Sequence, residues 1–481
     1  MPKSSPPELV SVKSSSSWIV PLALTCFCVA MAVFSRGFLE ADEITHFLCA
    51  RSMWSDPYQL VSIWGRLGCT AFFGLAAPFG VTAARLQAVA ITVLTAQGTA
   101  VLLRHFVQND PAIPLWIRKH STALAWLLLF AQPCFILNCF TVMTEMLLAC
   151  TWVWGVLMVL KFDGKRGLLL AGAVLGIGGL MRPEGWIAMA AWPIILALYL
   201  RKPGIPLWRE WPTILLSTFI SGIPVLIWFF LGAMIWHTWR WFIMIWPWAP
   251  KSQYGRSGQQ FLLSILISLC VWMWVPVAIG FWQFLKRRDR HAIYWLILPA
   301  AGLFLLHGTL GSLGLFGSMS LPRYFVSVSP MLVVLAVRGL ACLMPAGKKT
   351  AVALLLALSI LPGTALACFQ YLPMRTTVEQ NRLDVVIQAV KDRQAAGAGA
   401  DWNGLPPVVG HPYVQMQLQM PFDSPEQIRV PLRDKIMRAP VGTLLVVDSM
   451  MWKFEGRPTE DELRRWGYQE DAQTAAQVDA V

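Results

Sequence analysis

Residues 38–47 read FLEADEITHF and set Asp42, Glu43 and His46 together directly after an apolar run. Adjacent carboxylates repel, and beside a low-dielectric surface that repulsion is costly. A pair kept there suits proton uptake, with one acid tuning or positioning the other. The plainer reading is a solvated helix start, where the helix dipole favours acids in the first turn. More ionisable residues stand at the edges of apolar runs. They are Glu145 in TVMTEMLL, Arg182 and Glu184 in GLMRPEGW, His237 in HTWRWF, and Arg323 beside Tyr324 in LPRYF. Charges at a membrane edge are expensive, which makes each a candidate. Plain alternatives exist for most: Arg182 and Glu184 as a short-range pair after a proline turn, His237 as an interfacial hydrogen-bonder, residues 236–248 as an aromatic belt.

The elements that position these residues follow from composition. Of 481 residues, 56% are hydrophobic and 14% charged, whereas a soluble domain is about a quarter charged. The chain therefore reads as an all-α polytopic membrane protein. Its net charge of +13 comes from short basic clusters between apolar runs, the pattern that orients a membrane chain rather than one that binds nucleic acid. Most of the ten cysteines lie inside apolar stretches, with no CxxC pair and no zinc-like spacing, so core filling explains them.

Taking about 20 apolar residues per span, spans are expected near 18–35, 82–103, 121–140, 143–160, 167–181, 186–200, 212–233, 260–284, 292–308, 324–342 and 351–370. The run LGCTAFFGLAAPFG at 67–80 is short and rich in small residues. Treating it as interfacial puts KFDGKRG, RKPGIPLWRE, LKRRDRH and AGKK on one side, as the positive-inside rule requires. The expectation is about 11 transmembrane helices: a cytoplasmic tail at 1–17, a membrane domain at 18–370 with an outer loop at 36–81, and a small outer α/β domain at 371–481. Residues 18–32 end in AMA, a signal-peptidase pattern, but the apolar run continues through Phe34 and favours a retained anchor. In the outer domain, TVEQNRLDVVIQAVKDR reads as a helix, and 406–412 and 442–449 read as strands. No internal repeat or GxxxxGK[ST] loop is present, which leaves cytosolic nucleotide chemistry unsupported.

On this topology Asp42, Glu43, His46, Glu145, Arg182, Glu184, His237 and Arg323 all face outward, a sorting that scattered structural charges would not produce. Arg323 is a lone cation at an outer span start and lacks the explanation that serves the inner loops.

In this order and sidedness the motifs resemble those of the C-type glycosyltransferases, closest in flavour to the aminoarabinose and protein O-mannosyl transferase branches. ADEITHFLCARSMW resembles their first outer-loop motif, and SIWGRLGCTAFFGLAAPFGVTAARLQAVAI their interfacial segment and following span. TVMTEMLL resembles the second acidic motif and LPRYFVSVSPML the last outer loop. Two departures stand out: Arg66-Leu67-Gly68 replaces a Lys-Pro-Pro run, and Glu145 stands where Asp is common.

The resemblance implies transfer of a sugar from a polyprenyl-phosphate carrier to a glycan, lipid or protein acceptor outside the membrane, in a single inverting displacement. It implies Asp42 as base with Glu43 positioning it or raising its pKa, Arg323, Arg66 and Tyr324 toward the donor phosphate, and Glu145, Arg182, Glu184, His46 and His237 in support. A phosphate leaving group needs cations rather than a strong acid. No cofactor is called for, and room is left for a divalent cation. The expected compartment is a bacterial inner membrane with a periplasmic site; no Asn begins a glycosylation sequon. The rivals are a secondary transporter, which tends to hold its charges near the midplane in repeated halves, and a non-catalytic envelope scaffold.

Overall fold

The first apolar run folds as α1 (Ile19–Phe34), and Ser35 then turns extended. The structure, a computed structural model, describes residues 18–244 except 63, 109, 163, 202 and 205. It also describes 258–269, 273–313, 315, 321–343, 365, 370–396, 405–420, 422, 432–447 and 458–479. After α1 the chain forms α2 (Ala41–Ser52), with Asp42 and Glu43 in its first turn, where the dipole favours them. A 3-10 turn at Pro57–Val61, capped by Asp56, leads to α3 (Leu67–Phe73) and a second turn at Ala77–Phe79. Residues 67–80 thus form short pieces rather than a span.

The bundle continues through α4 (Val81–Val107), α5 (Leu115–Lys119), α6 (Ser121–Phe130), α7 (Pro133–Asn138), α8 (Thr144–Lys161), α9 (Gly164–Met181) and α10 (Pro183–Leu200). It then runs through α11 (Trp211–Ile235), α12 (Trp241–Met244), α13 (Gly258–Ser268), α14 (Trp274–Lys286), α15 (Arg290–Leu313) and α16 (Pro322–Leu343). Among the described residues, seven of these helices (α4, α8, α9, α10, α11, α15 and α16) are long and apolar enough to cross a membrane, while α1 and α6 are shorter apolar helices. The chain is an integral membrane protein.

Two expected spans are interrupted. The one at 121–140 breaks because Pro133 begins α7 and forces Gln132 out of the helical region, to φ −89° and ψ 114°. The one at 260–284 is divided between α13 and α14. The last, 351–370, lies almost wholly outside the described residues.

Successive long helices reverse direction, so the ends of α1, α9 and α11 meet the starts of α2, α4, α8, α10 and α16 at one end of the bundle. α16 runs through the middle, buried along nearly its whole length and packed on α14, α4, α6 and α8. Its seam with α14 depends on two glycines. A Cβ on Gly339 would stand 1.8 Å from the Pro276 carbonyl oxygen, and one on Gly280 1.9 Å from that of Leu335. Close backbone approach of this kind is how apolar helices gain contact inside a membrane.

Beyond the bundle lie α17 (Val378–Ala396), β1 (Val408–Val409), α18 (Pro412–Gln417), α19 (Leu432–Met437), β2 (Leu445–Val446), α20 (Glu460–Arg465) and α21 (Ala472–Asp479). β1 and β2 come from the two strand-like runs and pair in parallel, Val408 with Leu445 and Val409 with Val446. This region packs on α2: Leu383, Ile387, Tyr413 and Val414 share a core with Ile44, Phe47 and Leu48. The Arg51 guanidinium also donates to the Met420 carbonyl at 3.3 Å.

Candidate functional site

Arg182 joins α9 to α10. It precedes Pro183, which holds it extended at φ −152° and ψ 151° and turns its side chain into the protein. The guanidinium is 5% exposed and meets Glu145 at 2.5 Å. It donates to Thr144 Oγ1 at 2.9 Å. Its other edge forks onto Glu184, with Nε at 3.1 and 3.0 Å from the two carboxylate oxygens and Nη2 at 2.8 Å. Glu184 Oε1 also lies 3.1 Å from His307 Nε2, from the interior of α15. Glu145 faces Arg323 Nε at 3.4 Å. Arg323 Nη1 lies 2.7 Å from Glu40, and Nη2 donates to Asp42.

The Tyr324 ring covers both guanidinium groups, 5.0 Å from Arg182 and 5.8 Å from Arg323. Its other neighbour is the His307 ring, 4.7 Å away. One connected polar network therefore runs from His307 on α15 to Asp42 on α2. A buried network is rigid when its members satisfy one another.

Arg66 adjoins this network without being absorbed by it. Its backbone sits at φ +61°, a region non-glycine residues avoid and sites tolerate at a cost. Nη1 donates to Thr144 Oγ1 at 2.8 Å, and Nε has no hydrogen-bond partner. Among the described residues no carboxylate lies within ion-pair distance of it.

Two cavities meet at Arg66. One is lined by Arg66, Arg182, Trp186, Trp228, Leu180 and Pro183, with Leu67 and Gly179. The other is lined by Asp42, Thr45, His46, Trp64 and Arg66. His46 is buried and its Nδ1 has no partner. Burial pushes its pKa down to about 3, with the Arg66 charge adding to the effect, so the imidazole is neutral. Burial alone would push the Asp42 carboxyl up. The charges around it, Arg323 first and then His46 and Arg66, together outweigh that and hold it below its ordinary value.

The structure thus brings together Asp42, His46, Arg66, Glu145, Arg182, Glu184, Arg323 and Tyr324. It corrects two expectations. Glu43 does not flank Asp42: neighbours on a helix point about 100° apart, and Glu43 turns into the protein. There it accepts from Arg85 Nε at 3.0 Å and from the Leu39 N–H at 2.8 Å. Arg85 in turn donates to the carbonyls of Ser35 and Gly37 at 2.8 and 2.6 Å, tying the exit of α1 to α4. The Asp42 carboxyl is lowered rather than raised, and Glu43 is not among the causes. His237 is the second correction: it lies exposed past the end of α11 at φ +51°, outside the network.

Sequence reasoning missed His307, Glu40 and Thr144. His307 carried a usable signal, since LFLLHGTLG puts a titratable group in mid-span. Among the described residues no group of three His, Cys, Asp or Glu is arranged to hold a metal ion.

No family model and no curated protein matches the chain in sequence. Among solved structures, ArnT from Cupriavidus metallidurans in the apo state is 14% identical, with 95% of each chain covered and a TM-score of 0.63. ArnT from the same organism bound to undecaprenyl phosphate is 16% identical, covering 85% of this chain and 86% of the other at a TM-score of 0.56. At these identities the likeness is one of fold.

Proposed function

We propose that this chain, which has the C-type glycosyltransferase fold, moves a sugar from a polyprenyl-phosphate carrier to an acceptor on the outer face of the membrane. The observation that carries the reading is the meeting of the two cavities at Arg66. One cavity joins two guanidinium groups to an apolar wall with Trp186 and Trp228, and the other contains Asp42. A lipid phosphate has both characters the first cavity offers. The solved ArnT complex with undecaprenyl phosphate supports that class of ligand for this fold.

The donor phosphate rests on Arg66, whose charge stabilises the departing phosphate without a general acid, while Arg182, already forked onto Glu184 and paired with Glu145, holds the wall beside it. Arg323, expected from sequence at the phosphate, already has Glu40, Asp42 and Glu145 around it. Its role is therefore to orient Asp42 and keep it ionised. The acceptor hydroxyl attacks the anomeric carbon from the side opposite the phosphate and gives its proton to Asp42. The C–O bond to phosphate breaks with its electron pair, the bond to the acceptor oxygen forms, and the sugar inverts. On this reading the N-terminus is cytoplasmic and the site, with residues 371–481, periplasmic at a bacterial inner membrane, which the distribution of basic loops supports.

The test is transfer of radiolabelled sugar from a polyprenyl-phosphate donor by the purified protein in detergent. Asp42→Asn should bind the donor and fail to transfer; wild-type turnover in that variant would end this reading.

A further inference from the structure

We infer that Thr144 is a positioning residue for the donor phosphate: its hydroxyl holds the Arg66 side chain against Arg182 and so sets how tightly the phosphate binds. The inference rests on the donor reading above and deepens it.

The backbone of Arg66 is fixed from both sides. Its N–H donates to the Ser62 carbonyl at 3.0 Å, and its carbonyl accepts from the Thr70 N–H at 2.9 Å. The Gly65 N–H, one residue earlier, donates to Ser62 Oγ at 3.1 Å. The side chain has no such support. Among the described residues its single hydrogen bond is the one from Nη1 to Thr144 Oγ1, at 2.8 Å. Long, rotamer-rich side chains lose freedom when they grip a ligand, and a contact that restrains them beforehand lowers that cost.

Thr144 is built to give that restraint. A hydroxyl has two lone pairs and one proton. Arg66 Nη1 takes one lone pair at 2.8 Å and Arg182 Nη1 the other at 2.9 Å, while the proton goes to Glu145 Oε2 at 3.4 Å. The residue is buried at the start of α8, and its branched Cβ restricts the rotation that would carry the hydroxyl away. One oxygen thus bridges two guanidinium groups that repel each other. The two do not depend on it equally. Arg182 also forks onto Glu184 and meets Glu145, so the hydroxyl is one of its several partners. Arg66 has no other side-chain hydrogen bond among the described residues. The effect of Thr144 on the phosphate therefore passes through Arg66.

The test measures binding to the purified protein in detergent of farnesyl phosphate, a short polyprenyl phosphate, and of farnesol, the same chain without the phosphate. Thr144→Val keeps the shape and removes the oxygen. It should bind farnesyl phosphate about tenfold more weakly, as expected for a charge-assisted contact, and farnesol as the wild type does. Thr144→Ser keeps the hydroxyl and should bind both ligands within about twofold of the wild type. In an Arg66→Ala background, Thr144→Val should weaken farnesyl phosphate no further, because the group it acts through is gone. Wild-type affinity for farnesyl phosphate in Thr144→Val overturns the inference, and so does an equal loss of farnesol. A loss in Thr144→Ser, or a further loss on top of Arg66→Ala, overturns it too. If Thr144→Val does not fold, Thr144→Cys replaces it, since a thiol is a weak acceptor; the same weakening is expected, and wild-type affinity there is equally fatal. Failure of the wild type to bind farnesyl phosphate, or unchanged binding in Arg66→Ala alone, would instead bring down the donor reading.

Discussion

At the end of the bundle away from the site, Asp110 sits between Arg287, at 2.6 Å, and Arg338. Its other oxygen accepts from the Ala112 N–H at 2.9 Å. Nearby, Arg290 spreads over the carbonyls of Leu198, Tyr199 and Arg201 at 3.1, 2.6 and 3.0 Å, a cation at a helix C-terminus where the dipole favours one. These groups hold helix ends together and line neither cavity. The opposite end also gathers arginines onto acids, but there Arg66 is left over, with a strained backbone, a spare N–H and a cavity on either side. A bundle can use charge at both ends; what marks the site is polarity that its own fold does not consume.

The largest expected effect sets Asp42 against Asp110. Asp42→Asn keeps the shape and removes the base, so transfer should fall roughly 10²–10⁴-fold, the usual share of a general base. Asp110→Asn should leave transfer within about threefold and lower the melting temperature instead, because it weakens a partly exposed clamp. Equal losses of turnover in the two would erase the contrast between the ends.

Glu43 sharpens the comparison from within the site end. It lies beside Asp42 in sequence yet belongs with the structural pairs, so Glu43→Gln should leave the buried Arg85 unpaired and destabilise by about 3–5 kcal/mol. The loss should be visible in thermal melts, while the folded fraction retains transfer. A stable Glu43→Gln protein that cannot transfer would return Glu43 to the chemistry.

Arg66 comes next. Removing a charge-assisted phosphate contact typically costs about 1.5–3 kcal/mol, so Arg66→Ala should weaken farnesyl phosphate binding roughly 10–100-fold. Arg287→Ala, at the other end, should leave that affinity unchanged. Binding of farnesyl phosphate unaffected by Arg66→Ala would detach the phosphate from this wall.

How much of this was legible in sequence depends on which physical term decides. Helices such as α4, α8, α9 and α16 follow from apolar runs that only a membrane accommodates, and the runs fall close to the observed helices. The division at Pro133 was written in QPC, a proline that bars the helical conformation to its predecessor. Shared sidedness alone gathers Asp42, Glu145, Arg182, Glu184 and Arg323. The fate of Glu43 was not legible, since which of two neighbouring acids turns inward depends on Arg85 waiting 42 positions on. The surroundings of Arg323 were not legible for a related reason: its three carboxylate partners lie on two other segments, and only the packed bundle brings them to it.

The smallest expected effect separates stability from catalysis by pH. Asp42 titrates below its ordinary value because the charges around it, led by Arg323, together outweigh the effect of burial. The basic form is therefore present above that lowered pKa and lost only as pH falls through it. His46, held neutral down to about 3, adds no transition near the ordinary histidine value of about 6.5. Transfer to a hydroxyl acceptor, measured per folded molecule, should be flat within about twofold from roughly pH 8 to 5. Stability behaves differently. Between the folded and unfolded pKa values of His46 the unfolded chain binds the extra proton, so stability is full above about 6.5 and declines as pH falls toward 3. By that linkage the loss from roughly pH 7 to 5 is about 2 kcal/mol. His46→Asn should abolish this part of the decline in thermal melts. A rate that drops through pH 6.5 in the wild type but not in His46→Asn would show the imidazole moving a proton during transfer, and would replace Asp42 with His46 as the group that decides the pH profile.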